Sequence, residues 1–133
     1  MVTNVPGTSA VLVMLTGAVV TVMVQSSSIT TSLMVPLAAA GVLRLAQAFP
    51  VTLGANSGTT VTAFLAALAV SGPNATAGLE IALVHLLFNL SGILLVYPVA
   101  GVRRLPLRAA EVLTGLALRS RRMVVVWVVV LFY

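Results

Sequence analysis

The sequence contains no cysteine, no aspartate and no lysine, and only 7% of its 133 residues are charged. The absence of cysteine excludes disulfides and metal sites built from thiolates. A soluble domain carries about 25% charged residues, so this chain could not cover a water-facing surface. With 60% hydrophobic residues and a mean hydropathy of +1.18, the chain is predicted to be an all-α integral membrane protein.

The few charges are almost all of one sign, and seven arginines against Glu80 and Glu111 give a net charge of +5. Six of these arginines lie between positions 101 and 122, beside apolar segments. Nucleic-acid binding is not expected, because it needs a basic face interleaved with aromatics on a soluble fold. Arginines placed in this way favour contact with membrane lipid and a cytoplasmic location for residues 101–122 of a multi-pass plasma-membrane protein.

Two short apolar segments, residues 10–24 and 29–41, flank the polar cluster Gln25-Ser26-Ser27-Ser28. Neither segment reaches the roughly 20 residues that a spanning helix needs. One kinked helix over 10–41 is the alternative, but it would be about 48 Å long, well beyond a ~30 Å hydrocarbon core. The pattern therefore predicts a re-entrant helical hairpin that enters and leaves the membrane on one side.

Two longer apolar segments follow the predicted hairpin. Residues 46–70 are long enough to cross, but the glycines and polar residues of 54–60 make a poor helix interior, which predicts a discontinuous transmembrane helix. Residues 79–100 are a clean apolar span and predict a continuous helix. Two crossings after a hairpin place Arg44 and the later arginines on one side, in agreement with the positive-inside rule.

The remaining segments complete the predicted organisation. Residues 101–122 are expected to form an Arg-rich loop or surface helix. Residues 123–133 are eleven residues, too few to cross a membrane, and are interpreted as the start of a truncated transmembrane helix. We treat 1–133 as a single membrane domain with a core over 10–100.

Two polar clusters about thirty residues apart, Gln25 to Ser28 and Gly54 to Thr60, carry the chemistry. Each unpaired hydroxyl or amide removed from water costs roughly 1–3 kcal/mol, so these clusters need partners or a ligand. Broken helices of transporters hold solutes near the midplane, where hydroxyls donate to an anion or accept toward Na⁺. The pattern favours ion-coupled transport, and small polar residues that only join packed helices are the alternative.

Two residues of the last clean span, His85 and Asn89, share a face at i and i+4. We expect both to be structural or supporting residues that bond to a neighbouring helix. The enzymatic alternative is an intramembrane serine protease, for which Ser57 and His85 are the candidate pair. Ala55 stands where the usual glycine of such a site is expected, so no enzyme activity is predicted.

These residues lie in motifs that together resemble the type II sodium-dependent inorganic phosphate cotransporters. The motifs are Val-Gln-Ser-Ser-Ser at 24–28, Leu-Gly-Ala-Asn-Ser-Gly-Thr-Thr at 53–60, Ile-Ala-Leu-Val-His at 81–85 with Phe-Asn at 88–89, and Arg-Leu-Pro-Leu-Arg at 104–108. The resemblance covers about residues 12–108, and its later motifs are similar to the C-terminal repeat of a full transporter. It implies symport of inorganic phosphate with Na⁺ as the coupling ion, without an enzymatic cofactor.

The resemblance also implies the site. The predicted phosphate- and sodium-binding residues are Gln25, Ser26, Ser27, Ser28, Asn56, Thr59 and Thr60, with Na⁺ held by Ser27, Ser28, Asn56 and Thr59. A full transporter of this family has two inverted repeats, each with its own Gln-Ser-Ser-Ser hairpin, whereas this chain has one. We therefore expect it to supply one half of the site, with a complementary repeat as partner. A non-transporting accessory or scaffold subunit is the alternative.

Overall fold

The computed structural model describes residues 7–132, and within that range it contains only helices and no strand. The six helices are α1 (Gly7–Val24), α2 (Ser27–Ala39), α3 (Leu45–Ala69), α4 (Ala75–Val96), α5 (Ala100–Arg119) and α6 (Arg121–Phe132). The chain divides into two compact units at the boundary between Val96 and Tyr97. The all-helical prediction is confirmed, and the predicted single membrane domain stays a prediction.

Two helices are long and apolar enough to cross a membrane, Leu45–Ala69 and Ala75–Val96. They correspond to the two predicted spans. However, α4 begins and ends four residues earlier than the predicted 79–100. It ends at Val96 because Pro98 has no backbone N–H and disfavours the helical conformation at the residue before it.

The first two helices are separated by a two-residue turn. Gln25 has a φ of 56°, and Ser26 is extended, with φ −151° and ψ 112°. The Thr21 hydroxyl lies 2.9 Å from that of Thr30, whereas nine residues of straight helix would separate them by about 13.5 Å. The chain therefore turns back at Gln25, which excludes one long helix over 10–41. A re-entrant path through the membrane stays a prediction.

The predicted break in the second polar cluster is wrong, because α3 is one uninterrupted helix from Leu45 to Ala69. Hydroxyls in this stretch bond to carbonyls of their own helix, as Ser57 does to Leu53 at 3.1 Å and Thr60 to Ser57 at 2.8 Å. They are thereby satisfied without unwinding the backbone. The glycines cost about 1 kcal/mol each in helix propensity. Close packing against α1 offsets that cost.

The close packing of α1 on α3 depends on glycine. A Cβ atom at Gly54 would fall on the Met14 carbonyl oxygen, and one at Gly58 would lie 2.6 Å from the Ala18 carbonyl oxygen. Gly17 of α1 meets the backbone of Val51 in the same way. Gly54 and Gly58 thus form a Gly-x-x-x-Gly contact, which lets two helix backbones approach in an apolar environment.

The first unit buries small residues and exposes large ones. Its buried hydrophobic side chains are Ala10, Ala55 and Ala82, while Met23 is 79% and Phe88 75% exposed. A soluble protein would bury the large apolar side chains. This arrangement is the one expected when lipid covers the outer faces and small residues mediate helix contacts, so it supports the membrane prediction.

Candidate functional site

The turn after α1 places the N-terminus of α2 at the Gln-Ser-Ser-Ser segment. Ser26 is the N-cap, and its hydroxyl accepts a hydrogen bond of 3.3 Å from the Ile29 N–H. The N–H groups of Ser27 and Ser28 are in the first turn, where no carbonyl of the helix precedes them. The positive end of the helix dipole adds to these donors, so this is a position suited to an anion.

Gln25 is held in a strained conformation at this turn. Its φ of 56° lies in the left-handed region, and it is the only non-glycine residue there in the described part of the chain. Such a conformation costs a non-glycine residue roughly 1–2 kcal/mol. Judged by backbone conformation alone, glutamine is therefore an unfavourable residue at this position. Its exposed side chain offers two donors and one acceptor beside the helix N-terminus.

The hydroxyls near the turn fall into two groups. Thr30 donates to the Ser26 carbonyl at 3.1 Å, and Thr31 donates to the Ser27 carbonyl at 2.9 Å. Within residues 7–132, the side chains of Gln25, Ser27 and Ser28 have no hydrogen-bond partner. Among the predicted ligands, Gln25, Ser27 and Ser28 are thus free to donate to a solute.

The predicted ligands on α3 differ in this respect. Thr59 donates its proton to the Ala55 carbonyl at 3.2 Å, and Thr60 donates to Ser57 at 2.8 Å. A hydroxyl has one proton, so these two keep only lone pairs for another partner. Lone pairs suit a cation such as Na⁺. Thr60 is 0% exposed, so in this conformation it supports the helix rather than facing a solute.

Asn56 connects α3 to α4 on the opposite side from α1. It lies two residues after Gly54, about 200° around the helix, and its Nδ2 donates to the Asn89 Oδ1 at 2.9 Å. The side-chain oxygen of Asn56, Oδ1, stays available as an acceptor. The Nδ2 of Asn89 is buried without a hydrogen-bond partner, and His85, one turn earlier, is exposed.

Thr21 of α1 contacts both α3 and α2, the two helices that carry the polar clusters. The Thr21 Cβ is 2.8 Å from where a Cβ at Gly58 would be, and its hydroxyl bonds to Thr30 beyond the turn. Among the described residues, however, no side-chain hydrogen bond links Gln25, Ser26, Ser27 or Ser28 with Asn56, Thr59 or Thr60.

Sequence reasoning missed Thr21, Thr30 and the packing role of the glycines. The spacing of Gly54 and Gly58 is a signal for helix packing that could have identified the α1–α3 contact. Thr21 lies in an apolar helix, where a threonine can bond to its own backbone, as Thr16 does to the Leu12 carbonyl. Its partner across the turn is set by the fold.

These features define a helical membrane protein in which a polar turn, between α1 and α2, connects two apolar helices. The chain matches the Na⁺/Pi-cotransporter family over residues 5–121, and it belongs to that family. This membership confirms the predicted family, which is one of transporters and not of enzymes. In accord with this, Ser57 donates to the Leu53 carbonyl of its own helix, in contrast to the arrangement of a serine nucleophile.

Individual relatives agree with the family match. The chain is 48% identical over 121 residues to sodium-dependent phosphate transport protein 2B of Bos taurus. The aligned region covers 91% of this chain and 17% of the relative. It is 46% identical to protein 2B of Homo sapiens (92% and 18%) and 45% identical to protein 2A of Oryctolagus cuniculus (90% and 18%). It therefore spans less than a fifth of the length of these curated relatives. No solved structure matches it.

Proposed function

We propose that this chain takes part in Na⁺-coupled symport of inorganic phosphate and supplies one half of the substrate and ion site. One observation carries the proposal: the free hydroxyls of Ser27 and Ser28 accompany two unpaired backbone N–H groups at the N-terminus of α2. The names of the relatives, sodium-dependent phosphate transport proteins, supply the solute and the coupling ion.

Phosphate is assigned to the turn. Its oxygens are acceptors, and the turn offers donors from the Gln25 amide, the Ser27 and Ser28 hydroxyls and the first N–H groups of α2. The segment that provides these donors, residues 25–28, contains no arginine or lysine. Binding through neutral donors is weaker than binding through a fixed cation, which suits a site that must also release its solute.

Sodium is assigned to the acceptors of α3 together with the serines of the turn. Thr59 donates its one proton to Ala55 and Asn56 donates through Nδ2 to Asn89, which leaves the Thr59 hydroxyl oxygen and the Asn56 Oδ1 as acceptors for a cation. The serine oxygens of Ser27 and Ser28 can accept toward the same ion while their protons bind phosphate. A bound Na⁺ would supply the positive charge that residues 25–28 and 54–60 lack, and it would thereby couple the binding of the two solutes.

The half-site follows from the single Gln-Ser-Ser-Ser segment. We propose that a complementary repeat with a second such segment completes the site, either elsewhere in the same gene product or as a separate chain. Na⁺-driven phosphate uptake should then be absent when this polypeptide is reconstituted alone.

Insertion of this chain into a relative tests the proposal. The 121 matched residues of the bovine protein would be replaced by this chain. ³²P-phosphate uptake would be measured with and without a Na⁺ gradient, beside proteoliposomes of this chain alone. The chimera should accumulate phosphate only with Na⁺, and the chain alone should not. Robust uptake by the chain alone would refute the half-site, and loss of uptake by a chimera that reaches the cell surface would refute the transport role.

Paired variants of the chimera test the residues. Ser27→Ala removes a free hydroxyl and should reduce uptake at least tenfold, since a hydrogen bond to a charged group contributes about 1.5–3 kcal/mol. Ser91→Ala is the matched control, because the Ser91 hydroxyl donates to the Phe88 carbonyl of its own helix at 2.8 Å. Equal uptake by the two variants would contradict contact between Ser27 and phosphate.

The proposed orientation is a plasma-membrane protein with Arg44 and residues 101–122 in the cytoplasm. Two spanning helices, α3 and α4, separate these positions, which returns both to one side. The chain has no cysteine, so single cysteines can report sidedness. Asn74→Cys should react with an impermeant maleimide in intact cells, and Val42→Cys only after permeabilisation. The reverse pattern would contradict the orientation.

A further inference from the structure

The helix α5 of the second unit has three distinct sides. At about 100° per residue, one side carries its buried and half-buried residues, Arg103, Leu107, Ala110 and Ala117. A second side carries the exposed charges Arg104, Arg108, Glu111 and Arg119. The third side, called here the apolar side, carries Val102, Leu105, Ala109, Val112, Leu113 and Leu116.

The apolar side is exposed along its whole length. Leu105 is 64% and Val112 62% exposed, and every other member of the set is exposed as well. It covers an arc of about 100°, whose middle lies between Ala109 and Leu116. The packed side of α5 lies elsewhere, so contacts within the second unit leave this surface uncovered. A continuous apolar surface of this kind needs a partner that removes it from water.

Arginines border the apolar side. Arg108 and Arg119 lie about 40° and 20° from Val112 around the helix, close enough for their aliphatic stems to run along its edge. The helix carries four arginines against Glu111. On the packed side, the Arg103 guanidinium lies 5.6 Å from the centre of the Tyr97 ring. An aromatic group thus lies beside the N-terminal part of α5.

We propose that α5 binds the surface of an anionic bilayer through its apolar side. In this arrangement Leu105, Ala109 and Val112 insert at the level of the headgroups and acyl chains, while Arg108 and Arg119 contact lipid phosphates. Charge complementarity selects the bilayer as the occupant, because anionic headgroups lie in the same plane as the apolar boundary and match a helix with arginines along the apolar edge. Lipid binding by α5 does not depend on phosphate transport.

Site-directed spin labelling of the full chain tests this proposal. Ala109 and Leu118 lie nine residues apart and so on opposite sides of α5, and both are exposed. Because the chain has no cysteine, Ala109→Cys and Leu118→Cys each give one labelled position. The variants would be reconstituted in nanodiscs of phosphatidylglycerol or of phosphatidylcholine. Collision rates would be measured with oxygen, which concentrates in lipid, and with a water-soluble nickel chelate.

In phosphatidylglycerol, the label at 109 should collide several-fold more with oxygen than with nickel, and the label at 118 should show the reverse. The preference at 109 should fall in phosphatidylcholine. Nickel access at both positions would mean that α5 lies in water, and exclusion of both reagents at 109 would mean that a protein covers the apolar side. Either result overturns the proposal. An equal oxygen preference at 109 in the two lipids would overturn the role of the anionic headgroup. A label at Val112→Cys, on the same side of the helix, should reproduce the result at 109.

Discussion

Thr21 donates a hydrogen bond of 2.9 Å to Thr30 across the turn between α1 and α2. Thr30 in turn donates to the Ser26 carbonyl at 3.1 Å, so two consecutive hydrogen bonds connect α1 to the residue that caps α2. Both threonines are buried, with Thr21 1% and Thr30 4% exposed. The position of the Gln-Ser-Ser-Ser turn therefore depends on a polar contact that lies inside the helix pair.

Replacement of Thr21 by valine should destabilise the protein by about 1 kcal/mol. Valine preserves the shape and removes the only proton donated to Thr30, and a hydrogen bond between membrane helices is worth roughly 0.5–1.5 kcal/mol. Equilibrium unfolding in mixed micelles would measure the change. Thr16→Val is the control, because the exposed Thr16 donates within its own helix at 2.9 Å, and it should change stability by less than about 0.5 kcal/mol. Equal effects of the two substitutions would contradict the contact across the turn.

Alanine at Gly54 should be strongly destabilising. Its Cβ would occupy the position of the Met14 carbonyl oxygen, so α1 would have to move away, and overpacking of this kind costs about 1–3 kcal/mol or more. Gly92→Ala is the matched comparison. Nothing lies within 4 Å of a Cβ at Gly92, so that substitution should be neutral or stabilise α4 by up to about 1 kcal/mol. The free energy of unfolding of both variants would be measured in the same micelles. A well-tolerated Gly54→Ala would disprove the close crossing of α1 and α3.

Much of the helical organisation could be predicted from the sequence. The polar residues at 25–28 predicted the interruption between α1 and α2, because four hydrogen-bonding side chains interrupt two apolar segments. Length and apolar composition predicted the two helices that are long and apolar enough to cross a membrane. The error at Gly54 to Thr60 arose from helix propensity. Propensity describes an isolated helix, whereas here hydroxyls bond to their own backbone and the glycines meet α1.

The arrangement of the candidate site could not be predicted in the same way. Composition identified Ser27, Thr59 and Asn56 as polar residues in apolar segments, but not which of their protons are already donated. That distinction depends on local geometry, since Thr59 reaches the Ala55 carbonyl one turn back and Ser27 begins a helix with no preceding turn. The contact of Asn56 with Asn89 spans 33 residues and depends on how α4 packs on α3.

Substitutions at Gln25 should separate the role of its backbone from that of its amide. Glycine adopts a φ of 56° without strain, whereas alanine keeps the strain and lacks the amide. Gln25→Gly should therefore be about 1 kcal/mol more stable than Gln25→Ala. Both should lose phosphate uptake in the chimera if the amide is a ligand. Thermal unfolding and uptake would be measured on both variants. Normal uptake by either variant would exclude the amide as a ligand, and equal stability would contradict the left-handed turn.

A double-mutant cycle at Asn56 and Asn89 tests the contact between α3 and α4. Each asparagine would be replaced by alanine singly and together, and a direct hydrogen bond of 2.9 Å should give a coupling energy of about 0.5–1.5 kcal/mol in unfolding. Asn89→Ala should cost less than Asn56→Ala, because it also removes an Nδ2 group that is buried without a partner.

Asn56 and Ser91 form the control cycle, since Ser91 bonds to the Phe88 carbonyl of its own helix. Their coupling should be zero within about 0.3–0.5 kcal/mol, the usual limit for independent sites. Equal coupling in the two cycles would mean that α4 is sensitive to any polar substitution rather than to this bond. A coupling near zero for Asn56 and Asn89 would leave the Asn56 amide free to donate, which would remove the physical reason for assigning its oxygen to Na⁺.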